Sequence, residues 1–506
     1  MRLPLVSTLL AGLALMSVAG SSFSQWLMPD PVDEAVVDSL RAELGAGEQA
    51  LADNDAAAAA RRFDRVIDAP GFAVLESRER YSALLRAGIA ALDLGQAAKA
   101  HPLLVRACAF DEAEGTAWHL RLRAAYATDA LVDSALTLKV IARRWPQTLD
   151  QVREQAILDI ARRLEREPAQ REARVELLSA LFDANWTNEG LEPDFLWFDY
   201  VRALVARKDL ARATEVAARI RSAEMILALR IDKRFDALVR ARKGSFDIER
   251  SMKREHAWIE RLRASHPDRL KLATYELYVN VRDGHPQRAL ELADAVIARF
   301  RSDGEEVYAD ADEYIWILDE RARALQRLGR WDDAVAQLGK AARRPENGGV
   351  NVSQVINLGR LLARMGRIDE VEPTMEEVGG MSAYGRMQLG LNLLMVAAAR
   401  GDETAVDAQL ERMRADRTEA MGTWQAALVQ AGRLDEAARL LIERLGNEEW
   451  RNDALLEMQD YAAIPEAPRD VLHRERWQAI LARADVRKAL DAVGRIERVA
   501  LTNLPL

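Results

Sequence analysis

The sequence predicts an all-α protein, a right-handed solenoid of stacked antiparallel helix pairs. Three observations carry that expectation. One turn pattern recurs along the chain, apolar positions flank each turn at helical spacing, and no run alternates in the manner of a strand. With 506 residues, 49% hydrophobic and 30% charged, there is ample material for packed helices.

The first element is a leader. Arg2 precedes an apolar run from Leu3 to Val18 that ends in small residues, with Ser17-Val18-Ala19 or Ser22-Phe23-Ser24 as cleavage patterns. That run falls short of the ~20 apolar residues of a spanning helix, which makes residues 1–24 a secretory signal peptide. The mature chain is expected to be exported, periplasmic or secreted; the alternative is an uncleaved anchor in the inner membrane.

The turn pattern consists of a breaker followed about five positions later by a small residue. It reads DNDAAAA (Asp53 to Ala59), LGQAAKA (Leu94 to Ala100), DALVDSA (Asp129 to Ala135) and RKDLARA (Arg207 to Ala213). It continues as DGHPQRA (Asp283 to Ala289), LGRWDDA (Leu328 to Ala334), MGRIDEV (Met365 to Val371), RGDETAV (Arg400 to Val406) and AGRLDEA (Ala431 to Ala437). Spacings run from roughly 30 to 45 residues, with two gaps about twice that, as one degenerate copy in each gap would give. A glycine such as Gly329 or Gly432 ends one helix in a left-handed conformation. Asp332 and Asp333 then favour the positive start of the next helix, and the small residue permits a close crossing. Leu104, Leu338, Leu410 and Leu441 follow one turn later, while Leu84, Trp118, Trp197 and Leu318 mark the preceding helices as core anchors.

These segments resemble the tetratricopeptide repeat family. LGRWDDAVAQLGKA, AGRLDEAARLLIERL and LGQAAKAHPLLVRACAF are similar to its turn and second helix. The expected organisation is a leader (1–24), N-terminal helix pairs (25–182), a middle section opening on an aromatic-rich junction (183–305), C-terminal repeats (306–470), and a capping helix and tail (471–506). The aromatics at the junction, Trp186, Phe195, Trp197, Phe198 and Tyr200, are read as core filling, with a binding surface as the alternative. The resemblance implies a partner-binding groove lined by first helices, on faces roughly 18, 15, 11, 8 and 7 residues before the small residue. Those offsets give Phe195, Phe198 and Arg202, then Lys271, Tyr278 and Arg282, then Trp316, Asp319, Arg323 and Gln326. Arg202, Lys271, Arg282 and Arg323 would make that groove basic, suited to an acidic protein or peptide, with an anionic glycan as the alternative.

Other chemistries find little support. With 71 basic against 80 acidic residues the net charge is −9, which argues against nucleic acid as the partner. Cys108 is the one cysteine, so there is no intrachain disulfide and no cysteine zinc site. Six scattered histidines suggest no metal centre, and no cofactor is expected. GMSAYG (Gly380 to Gly385) has one residue too many for a serine elbow, and GAGEQA (Gly45 to Ala50) follows a helical pattern where a dinucleotide loop would follow a strand. The expectation is a non-catalytic exported scaffold for a protein or peptide. The alternatives are a periplasmic component of exopolysaccharide export or envelope assembly, and a polysaccharide-acting enzyme on an all-helical scaffold.

Overall fold

The computed structural model describes residues 34–502 apart from 189, 347 and 377. The leader expected over 1–24 lies outside the described residues. Among the described residues there is no strand, only isolated bridges such as Asp232–Gly494 and Asp460–Arg498. None of their helices is long and apolar enough to cross a membrane. The chain divides into two compact units at Leu177/Leu178.

The first unit holds α1 (Glu34–Ala52), α2 (Ala56–Ile67), α3 (Ser77–Asp93), α4 (Ala97–Ala107), α5 (Gly115–Ala127), α6 (Leu131–Arg144) and α7 (Glu154–Arg166). The division falls within α8 (Arg171–Asp183). Each helix of this unit up to α7 packs on the next, so the core is a series of helix-pair interfaces. The interface of α3 with α4 shows why small residues recur. A Cβ added to Gly88 would sit 2.6 Å from the Leu104 side chain, so a larger residue could not keep that crossing. Cys108, at the end of α4, is buried, and burial pushes its thiol up to about 11, so it is inert at neutral pH.

The second unit continues through α9 (Asp194–Ala206), α10 (Leu210–Ala217), α11 (Ala223–Ile231), α12 (Asp236–Ala241), α13 (Ile248–Ser265), α14 (Leu270–Arg282) and α15 (Pro286–Asp303). Then come α16 (Tyr314–Arg327), α17 (Trp331–Ala341), α18 (Ser353–Met365), α19 (Val371–Thr374), α20 (Ala383–Arg400), α21 (Glu403–Ala415), α22 (Met421–Gln430) and α23 (Leu434–Gly446). The last are α24 (Arg451–Glu457), α25 (Asp470–Leu481) and α26 (Ala484–Val493).

All nine turn motifs contain a residue in the left-handed region: Asn54, Gly95, Asp129, Lys208, Gly284, Gly329, Gly366, Gly401 and Gly432. The nine small residues, from Ala59 to Ala437, are all buried, as are the leucines and tryptophans expected beside them. Trp197 is fully enclosed, donating to Glu192 at 2.8 Å with Arg219 over its ring. Trp186, Phe198 and Tyr200 are buried too, so the aromatic junction is core; Phe195 alone stands out, 46% exposed.

The end of the chain is where the second unit departs from a simple open stack. Helices α25 and α26 pack on α23, covering the apolar side of the last pair, as capping requires. The segment beyond α26 then returns to the start of the unit. Arg495 N–H donates to the Ile231 carbonyl at 3.0 Å, and the Thr502 N–H donates to that of Arg282 at 2.7 Å. Residues 459–462 pair alongside this tail, with Ala462 N–H donating to the Leu501 carbonyl at 2.9 Å. Helix α24 packs against α11. The second unit is thereby tied end to end by its own C-terminus.

Candidate functional site

Four of the ten residues given by the repeat offsets meet at one place. Trp316, Asp319, Arg323 and Gln326, on one face of α16, line a cavity of about 960 Å³ in the second unit. The same face of α18 forms the adjoining wall with Ser353, Ile356, Arg360 and Arg364, while Tyr384 and Gln388 of α20 complete it. The repeat sets this geometry. Arg323 and Arg360 each stand eleven residues before their small residue, Ala334 and Val371, and Arg327 and Arg364 stand seven before. Two arginine pairs one helical turn apart are therefore stacked on neighbouring helices. A second cavity, of about 880 Å³, continues along the same surface past Gly422, Ala426 and Val429 of α22.

The electrostatics follow from crowding cations at a partly dry wall. Arg323 contacts Asp319 at 3.0 Å and Glu320 at 3.2 Å, and these carboxylates hold it above its ordinary range. Burial pushes the Glu320 carboxyl up to about 7, although Arg323 opposes the shift. Arg364 donates to both oxygens of Asp470, at 2.9 and 2.8 Å, and to Gln326 at 3.0 Å. Burial, reinforced by Arg364, lowers both Arg327 and Arg360 to about 10. Arg360 is 8% exposed and donates to neutral oxygens only: Asn392 Oδ1, and the Gln388 carbonyl and Oε1 at 3.1 and 3.0 Å. The wall is thus cationic, flanked by the rings of Trp316, Trp331 and Tyr384, the last 57% exposed.

The other six residues need correction as groove positions. Phe198 is buried against Phe235, with ring centroids 5.6 Å apart. Arg282 is 2% exposed, held by Glu255 at 2.6 Å and Asp283 at 2.7 Å. Tyr278 is partly buried and donates to Glu224 at 2.7 Å, while Lys271 reaches Asn188 at 2.6 Å. Arg202 contacts Asp199 at 3.2 Å and the Glu448 carbonyl at 3.3 Å, and Phe195 lines neither large cavity. A basic groove running through Arg202, Lys271 and Arg282 does not form. Partners from the same section, Phe235, Glu255, Asp283, Glu224 and Asn188, take most of these faces, and the returning chain adds to them: Thr502 sits on the end of α14, and α24 packs against α11. Faces that would be open in an unclosed stack become interior.

The site also contains residues that the offsets were not carried far enough to find, namely Arg360, Arg364 and Gln388, at the same positions before Val371 and Val406. Trp331 and Tyr384 of the wall, and Asp470 behind Arg364, had no local signal, because their place depends on long-range packing. Ser382 of the GMSAYG segment accepts the Gly385 N–H at 3.2 Å as the N-cap of α20, and Gly45 to Ala50 lie within α1. Among the described residues no group of His, Cys, Asp and Glu is arranged to hold a metal ion.

The helices and turns define an all-α solenoid of tetratricopeptide-like helix pairs. No protein-family model matches the chain, and no curated protein matches it. Among solved structures, human IFIT1, in a dimer with PPP-AAAA, is similar over 76% of this chain and 84% of that one, at 14% identity and a TM-score of 0.30. Yeast Tom70 is similar over 90% and 99%, at 12% identity and a TM-score of 0.30. The P58(IPK) TPR domain is similar over 90% and 99%, at 12% identity and a TM-score of 0.18. At such scores the likeness adds nothing to the fold that the helices themselves define.

Proposed function

We propose that this chain is an exported, periplasmic, non-catalytic scaffold that binds a protein or peptide partner in the cavity walled by α16, α18 and α20. The export reading rests on the leader-like residues 1–24. The observation that carries the binding reading is the convergence of Trp316, Asp319, Arg323 and Gln326 with Arg360 and Arg364 on one cavity of peptide-accommodating size. The non-catalytic reading is supported by the state of the acids that line it. Asp319 is engaged by Arg323 and by Asn357 at 2.9 Å, and Glu346 by Ser353 and the amides of residues 352 and 353. Both carboxylates thus have partners within the wall itself.

A second reading, a component of exopolysaccharide export or envelope assembly, is favoured by Trp316, Trp331 and Tyr384 beside the arginines, since rings and cations also suit an anionic glycan. Affinity capture from the envelope of the cells that make the protein, using the full chain and a Trp316→Ala/Tyr384→Ala variant, tests both. The protein-scaffold reading expects one partner retained by wild type, lost by the folded variant and unaffected by added glycan. Equal capture by the variant would refute the site, and displacement by glycan would favour the second reading.

A further inference from the structure

We infer that the second cavity, behind the strap of residues 459–469, takes a single long acyl chain, so that this unit binds a lipid in addition to its partner. The inference is independent of the scaffold reading, because it uses the other side of the strap.

The strap is the partition between the two cavities. Pro465 borders the first, while Ala463, Ile464 and Glu466 border the second. The second holds about 880 Å³, and its walls are largely aliphatic. Leu391 and Met395, one turn apart on α20, form one side with Ala426 and Val429 of α22, and all four are buried. Trp477 and Leu481 of α25 stand on the other side. Packed interiors leave few voids larger than a water molecule, and apolar cavities stay dry or take apolar ligands. This one is of ligand size.

Its shape suits a chain. The lining passes from Arg360 of α18 across α20 to α22, and these helices pack directly on one another in that order. At roughly 8–10 Å between axes, three helices give a slot about 16–20 Å long, the reach of an extended acyl chain. Met395 and Met458 lend it adaptable surface.

The charges at its edge are answered from within. Asp470 pairs with Arg364 at 2.8 Å, Glu457 with Arg444 at 2.7 Å and Glu466 with Arg474 at 2.6 Å, while Asp460 faces Arg498 at 3.9 Å. Arg360 donates to Asn392 and Gln388, and burial holds His473 uncharged, lowered to about 4. Apolar surface is therefore the main source of affinity left to a ligand.

Entry is available at the strap. Its ends are fixed, with Ala462 N–H on the Leu501 carbonyl at 2.9 Å and Arg469 N–H on that of Arg364 at 3.0 Å. Residues 463–466 between them make no backbone hydrogen bond among the described residues. Ile496, which also lines the cavity, is 46% exposed and gives it an apolar edge.

The test titrates the full chain, by calorimetry and tryptophan fluorescence, with four probes below their micelle concentrations. Stearate is the reference, and bromostearate carries a bromine that quenches tryptophan on contact. Butyrate keeps the head without the chain, and stearoyl lysophosphatidylcholine keeps the chain with another head. The two stearoyl ligands should bind within about tenfold of each other, and at least about a hundredfold more tightly than butyrate. Trp477→Phe should reduce the quenching by bromostearate while stearate affinity stays within about threefold. Ala426→Phe fills the slot from its inner wall and should weaken stearate at least about tenfold. Because Ala426 is buried, Ala463→Glu on the exposed part of the strap is the second variant; it sets a charge against the chain, leaves circular dichroism unchanged and should weaken stearate as much. Butyrate bound as tightly as stearate, undiminished quenching in Trp477→Phe, or wild-type affinity in Ala463→Glu would overturn the inference.

Discussion

Asp470 and Arg364 lie 106 residues apart and meet through two hydrogen bonds of 2.9 and 2.8 Å. The contact fastens to α18 the strap of residues 459–469 that leads into α25. Asp470 also accepts the Ala467 N–H at 2.9 Å, so one carboxylate sets the strap's path twice. Asp470→Asn keeps the shape but strands a buried guanidinium, at a cost of ~3 kcal/mol. Urea unfolding should show a lower midpoint, and limited proteolysis should cut between residues 459 and 469. An unchanged midpoint with an uncut strap would contradict this role.

Lys208 is the one turn residue whose side chain opposes its conformation. Its φ is +62, in a position where six of the nine motifs carry glycine and two carry Asn or Asp. The left-handed region costs a residue such as lysine roughly 1–2 kcal/mol, and glycine returns part of that gain as chain entropy. Lys208→Gly should therefore stabilise by about 0.5–1 kcal/mol, seen as a raised thermal midpoint. A lower midpoint would refute the strain.

Much of this architecture was legible in the sequence, and the reasons are local. A breaker, a small residue and a leucine one turn on are requirements within a single helix pair, so Gly329, Ala334 and Leu338 announce themselves. The wall of the candidate cavity was legible only in part. Offsets before Ala334 found Trp316, Asp319, Arg323 and Gln326, and the same offsets before Val371 contain Arg360 and Arg364. They failed before Ala213 and in the section leading to Ala289. There α10 has 8 residues and α12 only 6, and the chain's end covers α14. That closure is made by pairs such as Arg495 with Ile231 and Thr502 with Arg282, whose wide sequence separations no periodicity encodes.

Gly494 is the tightest point of the closure. A Cβ there would lie 2.4 Å from the Leu455 side chain and 2.9 Å from the Ile231 carbonyl oxygen. Its φ of −154 is open to any residue, so space alone excludes a side chain. Gly494→Ala should detach the tail, costing about 1–3 kcal/mol as an overpacked position does. Faster proteolytic loss of residues after 493 would register it; a tail as resistant as wild type would not fit.

Glu320 gives the wall a pH dependence of definite sign. Its folded value of about 7 lies above the ordinary carboxylate range, so the folded state holds the proton more strongly. Its contribution is unfavourable above pH 7 and fades as pH falls from about 7 towards 4, where both states are protonated. Glu320→Gln removes the buried charge while leaving Asp319 to pair with Arg323 at 3.0 Å. The variant should gain on the order of 2 kcal/mol over wild type at pH 8 and little at pH 4. Denaturant titrations at the two pH values check it, and an equal effect at both would remove Glu320 as the cause.

The central claim is that the partner occupies the cavity between α16, α18 and α20. Hydrogen–deuterium exchange of the full chain, alone and saturated with the partner captured from the envelope, tests it most directly. The account predicts slowed exchange in residues 353–360 and 379–388, which wall the cavity, with the first unit unchanged. Protection confined to the first unit, or to the covered faces of α11 and α14, would contradict it.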